Sequence, residues 1–304
     1  MIKNILIIGY GKIGKRYLSI LRQKKVNIII LRKKTSTSKK IKIINNLKNV
    51  KKVDGVIIAS PLNTHFKYAK YFLKKKIPVL LEKPICENLN EAKKLKYFSY
   101  ANKTSLIINY SDLYDPNFIK LLNFISQDIN KIKTIGMNYG NNKNNYNTNK
   151  IITPAQDWLP HPIAVITSIL KKVNNFKFID YVRKLSSTKR EIFEKFKIRF
   201  IFKKKNITLN FSNFPQTNMR NIYIETENFS IYFDAYNRKK NYFLNNNYKK
   251  KVNIKRNSFE NITNQFLNII EKNTYTSNIK LGINELKLTS EILKKMILLK
   301  KKIK

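Results

Sequence analysis

The sequence predicts an α/β protein in two parts. A doubly wound parallel sheet occupies residues 1–112, and an α+β domain with a largely antiparallel open sheet occupies residues 113–304. Three observations carry this reading. Strand-length Ile/Leu/Val runs alternate with helical spacing through the first third of the chain. A glycine-rich turn separates the first of those runs from the first helical pattern. From residue 175 to about residue 234, short β-branched and aromatic runs follow one another with no helix of comparable length between them.

The elements follow in order. Residues 3–8 read as a buried strand, 12–24 as a helix and 27–31 as a second buried strand. Residues 53–59 form a third strand, 65–75 a helix, 78–81 a fourth strand, 87–101 a helix and 105–109 a fifth strand. Continuous apolar runs of this length are what parallel strands covered on both faces require. After about residue 112 the rhythm changes. Asp115 and Pro116 open a helix over residues 116–129, as a cap followed by a first-turn proline. An Asn-rich stretch, residues 140–150, reads as a loop. Strands are expected over 176–182, 196–202, 207–211, 221–226 and 229–234, and closing amphipathic helices over 258–270 and 283–299.

Composition narrows the function classes. With 304 residues, 42% apolar and 12% aromatic, the chain can bury two ordinary cores. Only 7 Gly and 8 Pro exclude collagen-like and linker architectures. A single cysteine, Cys86, excludes an intramolecular disulfide framework and a Cys-rich zinc site, and no metal site is expected. The apolar runs fall far short of the roughly 20 residues of a spanning helix, and no signal peptide is visible, so a cytoplasmic location is expected.

The formal net charge of +44 is the footprint of a polyanion binder. Its composition argues for another origin. The chain holds 53 Lys but 9 Arg, together with 41 Asn, and the lysines are spread throughout. Phosphate and base recognition favours the planar fork of Arg. Drift toward AT-rich codons therefore accounts for the charge better than a nucleic-acid surface, and no specific nucleic-acid partner is expected. Self-repulsion still costs stability at low salt.

Gly9-Tyr10-Gly11-Lys12-Ile13-Gly14 follows the first strand and opens the first helix, and 3 of the 7 glycines lie there. The first glycine permits the tight turn, the second lets a pyrophosphate approach the backbone, and the third lets helix and strand pack closely. This is a Rossmann dinucleotide site, with Gly9, Gly11, Lys12, Ile13 and Gly14 as contacts. At the end of the second strand an NAD-selective site would place Asp or Glu. Here Arg32 stands eighteen residues after Gly14, followed by Lys33, Lys34, Thr35 and Ser36. Cations and hydroxyls suit a 2′-phosphate, so NADP is expected over NAD. Two more segments end strands at the same crevice: Ser60, Pro61, Asn63 and His65, and then Glu82-Lys83-Pro84. A lysine at the end of a buried strand can donate to a substrate oxygen.

With the glycine turn, the Ala59–His65 segment, Glu82-Lys83-Pro84 and Asp157-Trp158-Leu159-Pro160-His161, the sequence resembles the glucose–fructose oxidoreductase/inositol dehydrogenase (Gfo/Idh/MocA) family. The four motifs span the first half of the chain, and the second half matches in architecture alone. The resemblance implies that Lys83 contacts nicotinamide ribose and substrate, and that Asp157 and His161 line the substrate side with His161 as general acid/base. It also implies a sugar, polyol or sugar-derivative substrate, alcohol–ketone interconversion by hydride transfer, and homo-oligomers joined through the open sheet. Independently, residues 157 and 161 are spaced to share one helix face, and imidazole exchanges protons near neutral pH. Both histidines of the chain fall inside these motifs. Departures from the family pattern are Leu159 where several members have glycine, the flanking Pro160 and Pro162, and no arginine before Pro116. The alternative reading is a dinucleotide sensor or basic nucleic-acid module without turnover.

Overall fold

The structure is a computed structural model and describes residues 2–32, 42–125, 130–141, 152–171, 173, 175–186, 188, 191–214, 218–245, 248–255 and 257–302. The expected cations and hydroxyls at 33–36, the end of the helix at 126–129 and most of the Asn-rich stretch at 142–150 lie outside the described residues. Two compact units divide the chain: Met1–Ser111 with Ser258–Leu286, and Asp112–Asn257 with Lys287–Lys304.

In the first unit β1 (Lys3–Ile8), β2 (Val26–Leu31), β3 (Lys42–Ile44), β4 (Gly55–Ile58), β5 (Val79–Glu82) and β6 (Leu106–Asn109) form one sheet. The strands are parallel and lie in the order β3-β2-β1-β4-β5-β6. Helices α1 (Lys12–Leu21), α2 (His65–Lys74) and α3 (Leu89–Ala101) make the crossovers. Ile5–Ile8, Val56–Ile58 and Val79–Leu81 are buried on both faces. Each such side chain contributes about 1.5–3 kcal/mol, which is why the strands read as unbroken apolar runs. Strand order reverses between β1 and β4, the switch point where open α/β sheets bind ligands. The three-residue edge strand β3 was not expected; it is too short to show a pattern.

The boundary expected from sequence needs correction, because Ser258–Leu286 belongs with the first unit rather than with residues 113–304. Two sets of contacts explain this. In α7 (Ser258–Lys272) Phe259 packs on Tyr17 with centroids 5.3 Å apart and under the Arg16 guanidinium at 3.8 Å, and Glu260 pairs with Lys24 at 3.3 Å. Gly55 of β4 has no side chain because a Cβ there would lie 2.3 Å from Ile270 of α7. The Asn278 amide accepts from Ile108 N–H at 2.8 Å and donates to Ile108 C=O at 2.9 Å. It thereby covers the outer edge of β6, whose backbone groups would otherwise stand unpaired. Helix α8 (Ile279–Lys302) begins in this unit and continues in the second.

The second unit holds β7 (Thr134–Gly140), β8 (Asn175–Leu185), β9 (Ile192–Phe202), β10 (Lys205–Ser212), β11 (Arg220–Glu225), β12 (Phe229–Asp234), β13 (Tyr242–Asn245) and β14 (Tyr248–Lys251). Their order is β14-β13-β12-β11-β7-β10-β9-β8, antiparallel except for the β7–β10 pair. Alternate residues such as Ile135, Met137 and Tyr139 of β7 point into a core shared with Phe118 and Leu121 of α4 (Pro116–Ile125) and with Ile163 and Ile166 of α6 (Pro160–Leu170). Sequence patterning missed β7, whose outward positions are Gly136 and Asn138. Among the described residues no helix is long and apolar enough to cross a membrane.

Candidate active site

In the first unit the predicted residues gather at the carboxyl ends of β1, β2, β4 and β5. Gly9 leaves β1 at φ +97°, and a Cβ on it would lie 2.4 Å from Ala59 O. A Cβ on Gly14 would meet Gly9 O at 2.1 Å, so α1 can approach the strand only with glycine there. A Cβ on Gly11 would meet nothing within 4 Å. The three glycines thus divide into two that the backbone demands and one that opens space beside the turn.

Gly11 is also the N-cap of α1, where no side chain caps the helix, and the first turn holds no acid. The helix dipole favours an anion at that end, yet the chain places Lys12 and Lys15 there. An anionic group satisfies both the first-turn N–H groups and these cations. The cradle therefore fits a dinucleotide diphosphate. The guanidinium carbon of Arg32, one residue past β2, lies 5.4 Å from the Tyr10 ring centroid.

Ser60, Pro61 and Asn63 follow β4, with Asn63 and Pro61 exposed. Ser60 Oγ lies 2.6 Å from Thr64 Oγ1, which donates to Pro61 C=O at 2.7 Å, so the turn is braced from within. His65 is buried, with Nε2 2.9 Å from Ser60 C=O and Nδ1 2.8 Å from Pro84 C=O. It ties the β4 turn to the Glu82-Lys83-Pro84 turn. The Glu82 carboxylate accepts from Tyr17 OH at 2.7 Å and from Asn109 Nδ2 at 2.8 Å. Burial holds its carboxyl above the ordinary range against the opposing effect of these bonds and of Lys83. Lys83, half-buried, stands immediately beyond β5.

The Asp157 and His161 positions lie in the second unit. They do not share one helix, as the spacing predicted. Asp157 is on α5 (Pro154–Trp158) and His161 on α6, and Leu159 joins the two. Pro160 and Pro162 lack N–H groups and cannot continue the helical ladder, but Leu159 keeps right-handed helical angles, so the chain turns on in register. Thr153 caps α5 by accepting from Gln156 N–H at 3.2 Å, and the buried Glu194 accepts from Ala155 N–H at 3.0 Å.

A buried polar cluster adjoins His161. Arg220 Nη2 lies 3.1 Å from His161 Nδ1, and Arg220 Nε lies 2.7 Å from Asp112 Oδ1. Tyr139 OH donates to Asp112 Oδ2 at 2.8 Å. The side chains of Asp112 and Arg220 are 1% and 11% exposed. Burial works against the Arg220 charge, but Asp112 and then Tyr139 outweigh it and hold its pKa above the usual value. Sequence reasoning missed Arg220, Asp112 and Tyr139. One signal existed: Arg220, Ile222 and Ile224 alternate on one strand face, so a cation falls in line with core positions.

Residues 3–110 match the family described as "Oxidoreductase family, NAD-binding Rossmann fold". The chain is 33% identical over 87 residues to the uncharacterized oxidoreductase YgjR of Escherichia coli K12, a match covering 29% of this chain and 26% of that protein. A Gfo/Idh/MocA family oxidoreductase from Vibrio cholerae has a similar fold, with TM-score 0.77, 14% identity and coverage of 97% of this chain and 98% of that one. UDP-N-acetylglucosamine 3-dehydrogenase GnnA from Acidithiobacillus ferrooxidans gives TM-score 0.76 at 14% identity, covering 97% and 96%. These last two likenesses extend the shared fold across both units. Among the described residues no cluster of His, Cys, Asp and Glu could hold a metal ion.

Within the first unit His65 gives a pH-dependent contribution to stability. Burial lowers its pKa below the ordinary 6.5, against the opposing contacts of the Pro84 and Ser60 carbonyls. The unfolded chain takes up a proton near pH ~6.5, whereas the folded chain resists it. The stability is therefore complete above that pH and falls as pH drops toward the folded value. Denaturant titrations of wild type and His65→Gln should show a stability difference that shrinks below about pH 6.5. A difference independent of pH would contradict this assignment.

Proposed function

We propose that the protein is a nicotinamide-dependent dehydrogenase or reductase that interconverts an alcohol and a ketone on a sugar, polyol or sugar derivative. The observation that carries this reading is the Gly9–Gly14 cradle. Its open position at Gly11, uncapped helix and cationic first turn call for a diphosphate, at the switch point of a family of NAD-binding oxidoreductases.

When bound, the nicotinamide ring supplies or accepts the hydride. In this proposal Gly9, Gly11, Lys12, Ile13 and Gly14 hold the diphosphate, Ser60, Pro61 and Asn63 line the cofactor, and Glu82 and His65 keep the turn bearing Lys83 in place. Lys83 orients and polarises the reacting oxygen. Asp157 binds a neighbouring hydroxyl, and His161 exchanges the hydroxyl proton as general acid/base. GnnA, a dehydrogenase of a nucleotide-linked sugar by its name, gives the substrate class some weight, and a cationic surface suits a phosphorylated or nucleotide-linked substrate.

Optical detection of cofactor oxidation or reduction across sugars, polyols and nucleotide sugars tests this reading. Turnover with at least one member is expected; cofactor binding with no hydride transfer to any would favour a sensor.

Arg32 and the absence of an acid at the end of β2 favour NADP over NAD. Titration with both reduced cofactors should show the tighter affinity for NADPH, and that preference should fall in Arg32→Asp. A clear preference of the wild type for NADH would reject the assignment.

A further inference from the structure

We propose that the pocket between β12, β13, β14 and the turn at Arg238–Lys240 binds a phosphorylated small molecule. Lys239, Lys240, Lys249 and Lys251 take the phosphate, and Tyr232 and Tyr242 lie against the organic part. The inference rests on the second unit alone and stands whether or not the first unit binds a dinucleotide.

The pocket is open and holds about 360 Å³; its other lining residue is Asn241, and no acid lines it. Strand register explains the gathering. Tyr232 stands opposite Tyr242, and Tyr242 opposite Lys251, so the three form a row across β12, β13 and β14. The two tyrosine rings lie 5.8 Å apart between centroids and 16° from parallel. Lys249, two residues from Lys251 on the same face, places Nζ 4.7 Å from the Tyr242 ring centroid. Tyr232 also stands opposite Tyr223, which alternates with the core residues Ile222 and Ile224. The pocket therefore lies on the sheet face turned away from that core, and away from Arg220.

Residues 238–251 hold five Lys and one Arg and no Asp or Glu. Among the described residues no carboxylate pairs with Lys239, Lys240, Lys249 or Lys251. The Asp234 carboxylate, at the end of β12, is taken up by Tyr236 and Asn237 N–H, each 2.8 Å from Oδ1. Cations gathered in this way repel one another, and an anion relieves the repulsion. A second observation points to a ligand. Asn241 is fully buried in the pocket wall. Its Oδ1 accepts from Asp234 N–H at 2.6 Å, which fixes the other amide atom as the Nδ2 donor, and that donor has no partner. A buried donor left unpaired is costly, and a phosphate oxygen is the acceptor that both it and the lysines lack. The volume falls within the range of small-molecule sites, about 300–1,000 Å³, and exceeds what a bare phosphate fills. Tyrosine rings that carry hydroxyls suit a polyol body.

Calorimetric titration of the full chain with ribose 5-phosphate, inorganic phosphate and ribose tests the site. At about 0.15 M salt, charges more than about 8 Å away are largely screened, so the diffuse charge of the chain adds little. Ribose 5-phosphate should bind, inorganic phosphate more weakly and ribose not at all. Lys239→Gln with Lys251→Gln should lower the affinity at least about tenfold, as loss of charge-assisted hydrogen bonds requires. Lys93→Gln with Lys94→Gln removes the same charge from exposed positions of α3 and should bind as wild type does. Asn241→Asp keeps the acceptor for Asp234 N–H but removes the donor, and should weaken binding as much; if it does not fold, the Lys239 and Lys251 pair decides alone. Gly11→Ala should leave the titration unchanged. Failure of ribose 5-phosphate to bind, equally tight binding of ribose, or equal affinities in the two lysine pairs overturns the proposal. So does an affinity lost in Gly11→Ala and kept in Lys239→Gln with Lys251→Gln, which would put the phosphate in the first unit. Inorganic phosphate binding as tightly as its ribose ester overturns the assignment of an organic ligand.

Discussion

Alanine at Lys83 lowers turnover by about 10²–10³-fold, the range for loss of one preorganised donor to a reacting oxygen. Alanine at His161 lowers it by about 10²–10⁴-fold, the range for loss of a positioned general acid/base. Affinity for the cofactor changes little in either variant, because the diphosphate cradle of β1 and α1 includes neither side chain. Single-turnover hydride transfer separated from cofactor titration makes the comparison. Equal loss of cofactor affinity and turnover would move both residues from substrate chemistry to cofactor binding, and retained turnover in both would remove them from the mechanism.

The second large effect separates two glycines three residues apart. Gly11→Ala places its methyl group where nothing lies within 4 Å, at φ −75°. The fold should keep its melting temperature while cofactor affinity falls at least about tenfold, a loss of about 1.4 kcal/mol. Gly14→Ala drives a Cβ to 2.1 Å from the Gly9 carbonyl oxygen, a backbone atom with no rotamer to change. The gain of about 1 kcal/mol in helix propensity competes with about 1–3 kcal/mol of overpacking, and the backbone position of the clash puts the cost at or above the upper end. The melting temperature should fall by several degrees, at about 2–4 °C per kcal/mol for a chain of this size class. Calorimetry with parallel cofactor titration distinguishes the two variants. The reverse pattern, a destabilised Gly11→Ala with normal affinity, would mean that the open side of the turn serves the fold rather than a ligand.

The parallel sheet was legible because its strands are buried on both faces: Ile5–Ile8 and Val56–Ile58 leave no polar alternation to blur the pattern. Glycines carried the first half of the site for a similar reason, since backbone approach at Gly9 and Gly14 admits no other residue. Other features depended on partners distant in sequence. Ser258–Leu286 returns to the first unit because Gly55 and the edge of β6 receive it. Nothing in the amphipathic pattern of α7 names the sheet it covers. The same holds for Arg220, which meets Asp112 from 108 positions further along the chain (220 − 112), and for β7, whose outward Gly136 and Asn138 hide a strand that pairs with both β10 and β11. Prolines at 160 and 162 were read, but their division of the Asp157–His161 segment into two helices depends on Leu159 holding helical angles between them.

A crystal structure of the protein bound to a nicotinamide dinucleotide and a substrate analogue tests the central assignment most directly. The account predicts diphosphate oxygens about 3 Å from the first-turn N–H groups of α1, with Lys83 Nζ and His161 Nε2 both about 3 Å from the reacting oxygen. A diphosphate bound away from residues 9–14, or those two side chains on opposite sides of the nicotinamide ring, would contradict it.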